Sequence, residues 1–272
     1  MKIYSLLLCK NEADIIASVL KDACRWSDKI IVFDNGSNDG TWEIICDMAN
    51  QHPDIIIPYA HDGRAFRIGL RALSFDAFKQ EMTPDDWWCI RMDADEFYVD
   101  NPKDFLAKVP KRYQQVSKTS FDYVLCHEDL QEHNFSGHFE EDKDKIRYYK
   151  PTNWAETRFV RHSPRLHWEI DQKKPQPLGL TYPEAIRVKH YQFRSPQQMQ
   201  QRYAIRQASK QAGCGSFHHE KGNSWKDYLA YRQEMYFDAN DGNLKTQGNR
   251  NKLRRMHQEF LKAILQSVRY YG

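Results

Sequence analysis

Residues 29–41 read KIIVFDNGSNDGT. Lys29 to Asp34 is an apolar run of strand length, and the six residues after it, Asn35-Gly36-Ser37-Asn38-Asp39-Gly40, all favour turns or caps. From Thr41 the pattern turns helical (TWEIICDMA). A strand that ends in a polar turn and hands over to a helix is one half of a strand–helix–strand unit, and the same unit is legible on either side. Upstream, Ile3 to Leu8 (IYSLLL) predicts a strand. A helix follows in which Ile16, Val19, Leu20 and Ala23 recur at the spacing of one buried face, with Asn11 placed to cap it. Downstream come a short strand at Ile55 to Ile57, a helical stretch around Ala65 to Phe78, and the apolar run Trp87 to Met92. This alternation predicts an α/β fold, a mostly parallel sheet flanked by helices, with ligands at the carboxyl ends of the strands.

The rest of the chain reads differently. Val116 to Cys126 and Thr157 to Arg161 predict strands separated by an irregular, aromatic and charged excursion (HFEEDKDKIRYYKP). Pro175, Pro177 and Pro183 mark a loop, and Arg187 to Arg194 alternates as a strand. Ser195-Pro196 then opens a helix that Gly213 stops. Ser224 begins another helix, with Tyr228, Leu229 and Arg232 at helical spacing. A last helix carries Leu253, Met256, Phe260, Leu261, Ile264, Leu265 and Val268 on one face. The expected organisation is an α/β half over 1–115, further strands and loops of the same domain over 116–195, and a helical carboxyl-terminal section over 196–272.

At 272 residues, with 40% hydrophobic and 28% charged side chains, the chain can bury a large core without staples, and the disordered and disulfide-rich classes are excluded. No apolar run reaches the ~20 residues of a membrane span. The amino-terminal apolar stretch meets acidic residues at once and shows no small-residue cleavage site, so it reads as a core strand. Six scattered cysteines without a CxxC pair predict reduced thiols and a cytoplasmic protein. The net charge of +3 hides an asymmetry: residues 196–272 hold thirteen Lys/Arg against six Asp/Glu. A basic end of chain suits a negative partner. The basic–aromatic pattern of a nucleic-acid module is absent.

The sharpest local feature is Arg91-Met92-Asp93-Ala94-Asp95-Glu96-Phe97. Three carboxylates within four positions at a strand end repel one another unless a cation relieves them. Asp-x-Asp there suits Mg²⁺ or Mn²⁺, which take hard oxygen ligands and leave positions for water and diphosphate. A solvated acidic turn would contain the same residues.

KNEADII after the first strand, FDNGSNDGT after the second and MDADEF after the fourth together resemble the ordered signatures of family 2-like glycosyltransferases with a GT-A fold, over roughly residues 1–100. A weaker echo lies in His190-Tyr191-Gln192-Phe193-Arg194-Ser195. The resemblance implies a metal-dependent hexosyltransferase-like enzyme that moves one sugar from a nucleotide-sugar donor, expected to be UDP-linked, to a glycan or lipid-linked glycan of a bacterial surface polysaccharide. It further implies inversion and a bridging Mn²⁺ or Mg²⁺. On this reading Asn11, Glu12, Asp34, Asn35, Asp93 and Ala94 face the donor. Asp34 and Asn35 can bond a base and ribose, and Asn11 and Glu12 can equally serve only to start the helix. One of Arg64, Arg67 and Arg71, expected on one helix, neutralises phosphate, with Arg71 the choice. Asp95 is the direct metal ligand, Asp93 reaches the ribose or a metal-bound water, and His190 is the candidate extra ligand with Arg194 facing a phosphate.

Family analogy places a general base in an acidic pair well after the Asp-x-Asp. Glu169 and Asp171 are the candidates, with Trp168 available to stack on a sugar, and Glu128-Asp129 and Glu140-Glu141-Asp142 are rivals. Gln201-Arg202-Tyr203 does not match the QxxRW motif of processive synthases, so single-sugar addition is expected. Arg250 to Arg255 at the head of the last helix allow peripheral contact with anionic membrane at the inner face of the cell membrane, although its apolar stripe by default packs on the sheet. A sugar-phosphate nucleotidyltransferase and a non-catalytic carbohydrate-binding protein are the alternative functions.

Overall fold

The computed structural model describes residues 1–211, 224–247 and 259–265. In chain order the elements are β1 (Ile3–Cys9), α1 (Ile16–Ala23), β2 (Lys29–Asp34), α2 (Thr41–Gln51), β3 (Ile56–His61), α3 (Arg71–Phe78), β4 (Trp87–Met92), β5 (Glu96–Tyr98) and α4 (Pro102–Ala107). They continue as β6 (Gln115–Tyr123), α5 (His127–Glu132), α6 (Phe139–Asp142), β7 (Tyr148–Pro151), β8 (Glu156–Arg161), β9 (Ile186–His190), α7 (Pro196–Gln211) and β10 (Tyr236–Phe237). Residues 259–265 are helical. The chain forms two compact units: Met1–Ser120 with Thr152–Val188 and Gln247–Gly272, and Phe121–Pro151 with Lys189–Thr246.

In the first unit the sheet order is β3-β2-β1-β4-β8-β6. The four strands β3, β2, β1 and β4 are parallel, with Cys9 opposite Asp34 and Leu7 opposite Met92. β8 joins β4 antiparallel, and β6 joins β8 antiparallel. Every residue of β1 is buried, as expected for a central strand covered on both faces. α1 buries Ile16, Val19, Leu20 and Ala23, the four positions the periodicity marks. Below the sheet, Tyr4, Leu6, Ile31, Phe75, Trp88, Ile90, Val160, Leu166 and Trp168 form one apolar cluster.

In the second unit the last residues of β6 pair with β7, and β10 pairs with β7. The interior there is aromatic: Tyr123 stacks on Tyr149 and on Tyr191, with ring centroids 5.6 and 4.7 Å apart.

The α/β class, the order of the first four strands and the start of α7 agree with the sequence. Ser195 Oγ accepts from the Gln198 N–H at 3.1 Å, the expected cap. Several expectations change. Asn11 does not cap α1, which begins only at Ile16. The stretch from Ala65 is not helical until a 3₁₀ turn at Ile68–Leu70, so Arg64 and Arg67 precede the helix that Arg71 begins. The excursion holds α6 and β7, and β9 ends at His190. After Ser224 there are two short 3₁₀ turns, Trp225–Tyr228 and Arg232–Glu234, not one helix. Gly213, Cys214, Arg250, Lys252, Leu253, Arg254, Arg255, Met256 and Val268 lie outside the described residues. Of the last helix's stripe, Phe260, Leu261, Ile264 and Leu265 are exposed and do not pack on the sheet. The five described cysteines are free thiols.

Candidate active site

Because β1 and β2 run parallel in register, the loops that leave them start side by side, and their polar residues interlock. The Asn11 N–H donates to Ser37 Oγ (2.8 Å), and Asn11 Oδ1 accepts from the Asn38 N–H (3.0 Å). The Glu12 N–H reaches Thr41 Oγ1, and the Ala13 N–H reaches Asp39 Oδ2. Asn11 adopts φ 55°, a left-handed conformation that Asn tolerates better than most residues. Asp34, fully buried, accepts from the Ser37 N–H at 2.7 Å. The Asn35 amide donates to the carbonyls of Asp62 (3.0 Å) and Arg64 (2.8 Å), which fixes a third loop, the one after β3. Gly36, at φ 73°, sits where a Cβ would come 2.7 Å from Gly63 Cα. The turn residues of 35–41 thus brace three loops against one another, and Asn35 acts on the scaffold through its side-chain N–H groups.

The acidic turn follows β4, the other parallel neighbour of β1. Arg71, the first residue of α3, is 4% exposed. Its guanidinium donates to the Leu6 and Met92 carbonyls (3.3 Å each) and to Asp93 Oδ1 at 2.9 Å. It therefore ties β1, β4 and the turn together. Arg91 Nε lies 3.1 Å from Asp93 Oδ2, and Arg158 Nη1, from β8, lies 3.6 Å from it. Burial alone would raise the Asp93 pKa, but the charges of Arg91, Arg158, Arg71 and Lys118 outweigh it and hold the carboxyl well below its usual range. Burial draws Arg71 down to about 10, against the pull of Asp93, so it stays charged at neutral pH. Glu96 pairs with Lys118 and with Arg158, whose Nη2 is 3.0 Å away. Glu156 pairs with Arg91 and lies 3.2 Å from Arg158. Ala94 and Asp95, in the middle of the turn, are 5% and 7% exposed.

Lys118, Glu156 and Arg158 did not stand out in the sequence as part of this cluster. Arg158 carried the one available signal, a charged residue directly before the apolar pair Phe159-Val160 in a short strand.

Glu169 and Asp171 come to the same end of the sheet. Ile170 between them packs with Leu8 and Phe33, near the carboxyl ends of β1 and β2, and with Leu70. A Cβ on Gly69 would overlap the Ile170 carbonyl, so backbone meets backbone there. Both carboxylates are exposed. Trp168, in contrast, is buried in the core, 6.0 Å from Phe75 ring to ring, with Nε1 donating to the Gln172 carbonyl at 3.0 Å. Its expected role in stacking on a sugar is corrected: the ring has no face left for one.

The remaining candidates lie in the second unit. His190 Nδ1 is 2.8 Å from Asp122 Oδ1. Arg194 is 1% exposed, with Nη1 donating to the Tyr191 carbonyl. The rival acidic pairs are occupied structurally. Asp129 is fully buried, accepting from the Cys126 N–H and from Arg232 at 2.7 Å, and Asp142 accepts from the Ser136 and Gly137 N–H groups.

Among the described residues no three His, Cys, Asp or Glu side chains stand together as a metal cage. Asp93 and Glu96 have guanidinium or ammonium partners. The donor chemistry therefore fits a hard divalent cation that arrives with a ligand's phosphate oxygens and keeps waters, as Mg²⁺ does with one or two carboxylates, and does not fit a resident all-protein site.

A parallel α/β sheet whose strand-end loops converge on a fixed acidic turn defines the class of protein at hand. The family model described as Glycosyl transferase family 2 matches residues 6–165, more than half of the chain, and the chain belongs to that family. Among solved structures it is similar to the mannosyltransferase PcManGT from Pyrobaculum calidifontis in complex with GDP-Man and Mn²⁺, at 20% identity and a TM-score of 0.33. That similarity covers 43% of this chain and 35% of that one, so the chain spans about a third of the relative's length. No curated protein matches the sequence. Among the described residues no helix is long and apolar enough to cross a membrane.

Proposed function

We propose that the chain transfers a single sugar, with inversion, from a UDP-linked donor to a glycan or lipid-linked glycan acceptor of a bacterial surface polysaccharide. The observation that carries this reading is the acidic turn at the carboxyl end of β4, held by Arg71 to the neighbouring β1. Asp95 would hold the metal, and when bound Mn²⁺ or Mg²⁺ neutralises the charge that develops on the departing diphosphate. Asp93, clamped by three arginines, sets the conformation of the turn. Asp34 and the interlocked loops after β1 and β2 shape the floor for the nucleoside.

Glu169 and Asp171 are exposed on a turn packed at the ends of β1 and β2, and one of them serves as general base. In the transfer, that carboxylate takes the proton of the acceptor hydroxyl as its oxygen bonds to the anomeric carbon, while the bond from that carbon to the diphosphate oxygen breaks. No large aromatic platform is needed for this step, which agrees with the burial of Trp168.

A screen of nucleotide sugars for metal-dependent release of nucleoside diphosphate tests the proposal. Release from a UDP-sugar, stimulated by acceptor, is the expected result. Failure of every donor to turn over or to raise the melting temperature overturns it.

A further inference from the structure

The helix at 259–265 meets the first unit with its polar side. Glu259 accepts from the Thr181 N–H (2.7 Å) and hydroxyl (2.9 Å), and Lys262 Nζ lies 2.7 Å from Glu259 and 3.4 Å from Thr181 Oγ1. Glu259 and Lys262, three apart, share one stripe of the helix. At 3.6 residues per turn, Phe260, Leu261, Ile264 and Leu265 fall on the opposite stripe. They are 65, 47, 48 and 38% exposed. An amphipathic helix seated on a globular unit ordinarily buries its apolar stripe. Here the orientation is reversed, and four adjacent large apolar side chains face water, the mark of a docking surface.

The chemistry of the partner follows from the surroundings. Residues 247–272 carry six Lys/Arg and one acidic residue, Glu259, itself held by Thr181 and Lys262. Four of the six, Arg250, Lys252, Arg254 and Arg255, precede the helix within nine positions. Next to Thr181, Tyr182 packs edge-on against Tyr113 at 5.3 Å, with the Arg112 guanidinium 4.9 Å over that ring, and Lys111 is exposed beside Asp85. Four apolar side chains on two turns fall far short of the roughly 20–30 residues a side of a stable protein interface. An apolar stripe flanked by cations does match the surface of an anionic bilayer, where such helices lie in the headgroup region.

We propose that the helix at 259–265 docks the protein on an anionic lipid surface. Phe260, Leu261, Ile264 and Leu265 enter the headgroup–acyl boundary, and the excess positive charge of residues 247–272 favours anionic lipid. The helix shares no residue with the candidate active site, so this inference and the sugar-transfer reading fail separately.

The test is sedimentation of the full chain with phosphatidylcholine vesicles, with and without phosphatidylglycerol. The expected result is binding to the phosphatidylglycerol vesicles that is about tenfold weaker for pure phosphatidylcholine and falls with added salt. Phe260→Ser/Ile264→Ser and Arg254→Glu/Arg255→Glu should each weaken it by about tenfold while melting as the wild type does. Three results overturn the proposal: no binding to anionic vesicles, variants that bind as the wild type does, or a wild type that ignores vesicles and self-associates through Phe260 and Ile264, which would give the patch to a second copy of the chain.

Discussion

Arg71 Nη2 stands 2.9 Å from Asp93 Oδ1, joining the first residue of α3 to the first carboxylate of the acidic turn. The same guanidinium bonds to the Leu6 and Met92 carbonyls, so the turn is referenced to the two central parallel strands. With Arg91 and Arg158 also on Asp93, this carboxylate is a fixed anion of the scaffold.

A stability–pH relation follows. The folded pKa of Asp93 lies well below its unfolded value, so its contribution is present above about pH 4 and is lost as pH falls further toward the folded value. Asp93→Asn should cost about 3 kcal/mol at pH 7, and the gap to the wild type should narrow as pH drops below about 4. Denaturant titrations at pH 7 and pH 3 check this, and a gap that widens in acid would contradict it.

Arg158 is fully buried and serves Asp93, Glu96 and Glu156. Arg158→Met should leave those carboxylates short of partners and lower stability by about 3–5 kcal/mol. Adding Glu96→Gln should recover part of the loss, since the two changes act on one pair. Thermal melts of both variants read the coupling.

Gly69→Ala drives a methyl group into the Ile170 carbonyl. Displacing the 169–172 turn should cost about 1–3 kcal/mol and reduce kcat more than it weakens donor binding, because the turn carries Glu169 and Asp171. Steady-state kinetics beside a melt separate the two effects.

Glu169→Gln and Asp171→Asn should melt as the wild type does, since both side chains are exposed. One of them should lower kcat by about 10²–10⁴-fold, and that one is the base. Equal, small effects would remove the base from this turn.

Trp168→Ala should cost about 3–5 kcal/mol as a core deletion, while Trp168→Phe should retain the KM for acceptor. A large rise in acceptor KM for Trp168→Phe at unchanged stability would restore the ring to the substrate.

The first hundred residues were legible because local signals agreed with one another. β1 and β2 are continuous apolar runs, α1 has a clean helical period, and Asn35 to Gly40 contain residues that only turns favour. The acidic turn was legible as a run of charge, but its partners were not. Arg158 is 65 positions from Asp93, and only the pairing of β8 with β4 brings them together. Trp168 lay beside two carboxylates, and its burial depends on Phe75 and Leu166, which no local period connects to it. β5 and β7 are three and four residues long, too short for an alternating pattern to declare itself. The apolar stripe of 259–265 was visible, and its outward orientation was not, because that is decided by the bond the Thr181 N–H donates to Glu259.

On the proposed function, the turn around Asp95 receives a divalent cation together with a nucleoside diphosphate. Calorimetric titration of the protein with UDP, with and without Mn²⁺, tests it most directly in the wild type and in Asp95→Asn. Binding should require Mn²⁺ in the wild type and be lost in Asp95→Asn. Equal UDP affinity with and without Mn²⁺, or an unchanged Mn²⁺ requirement in Asp95→Asn, would contradict it.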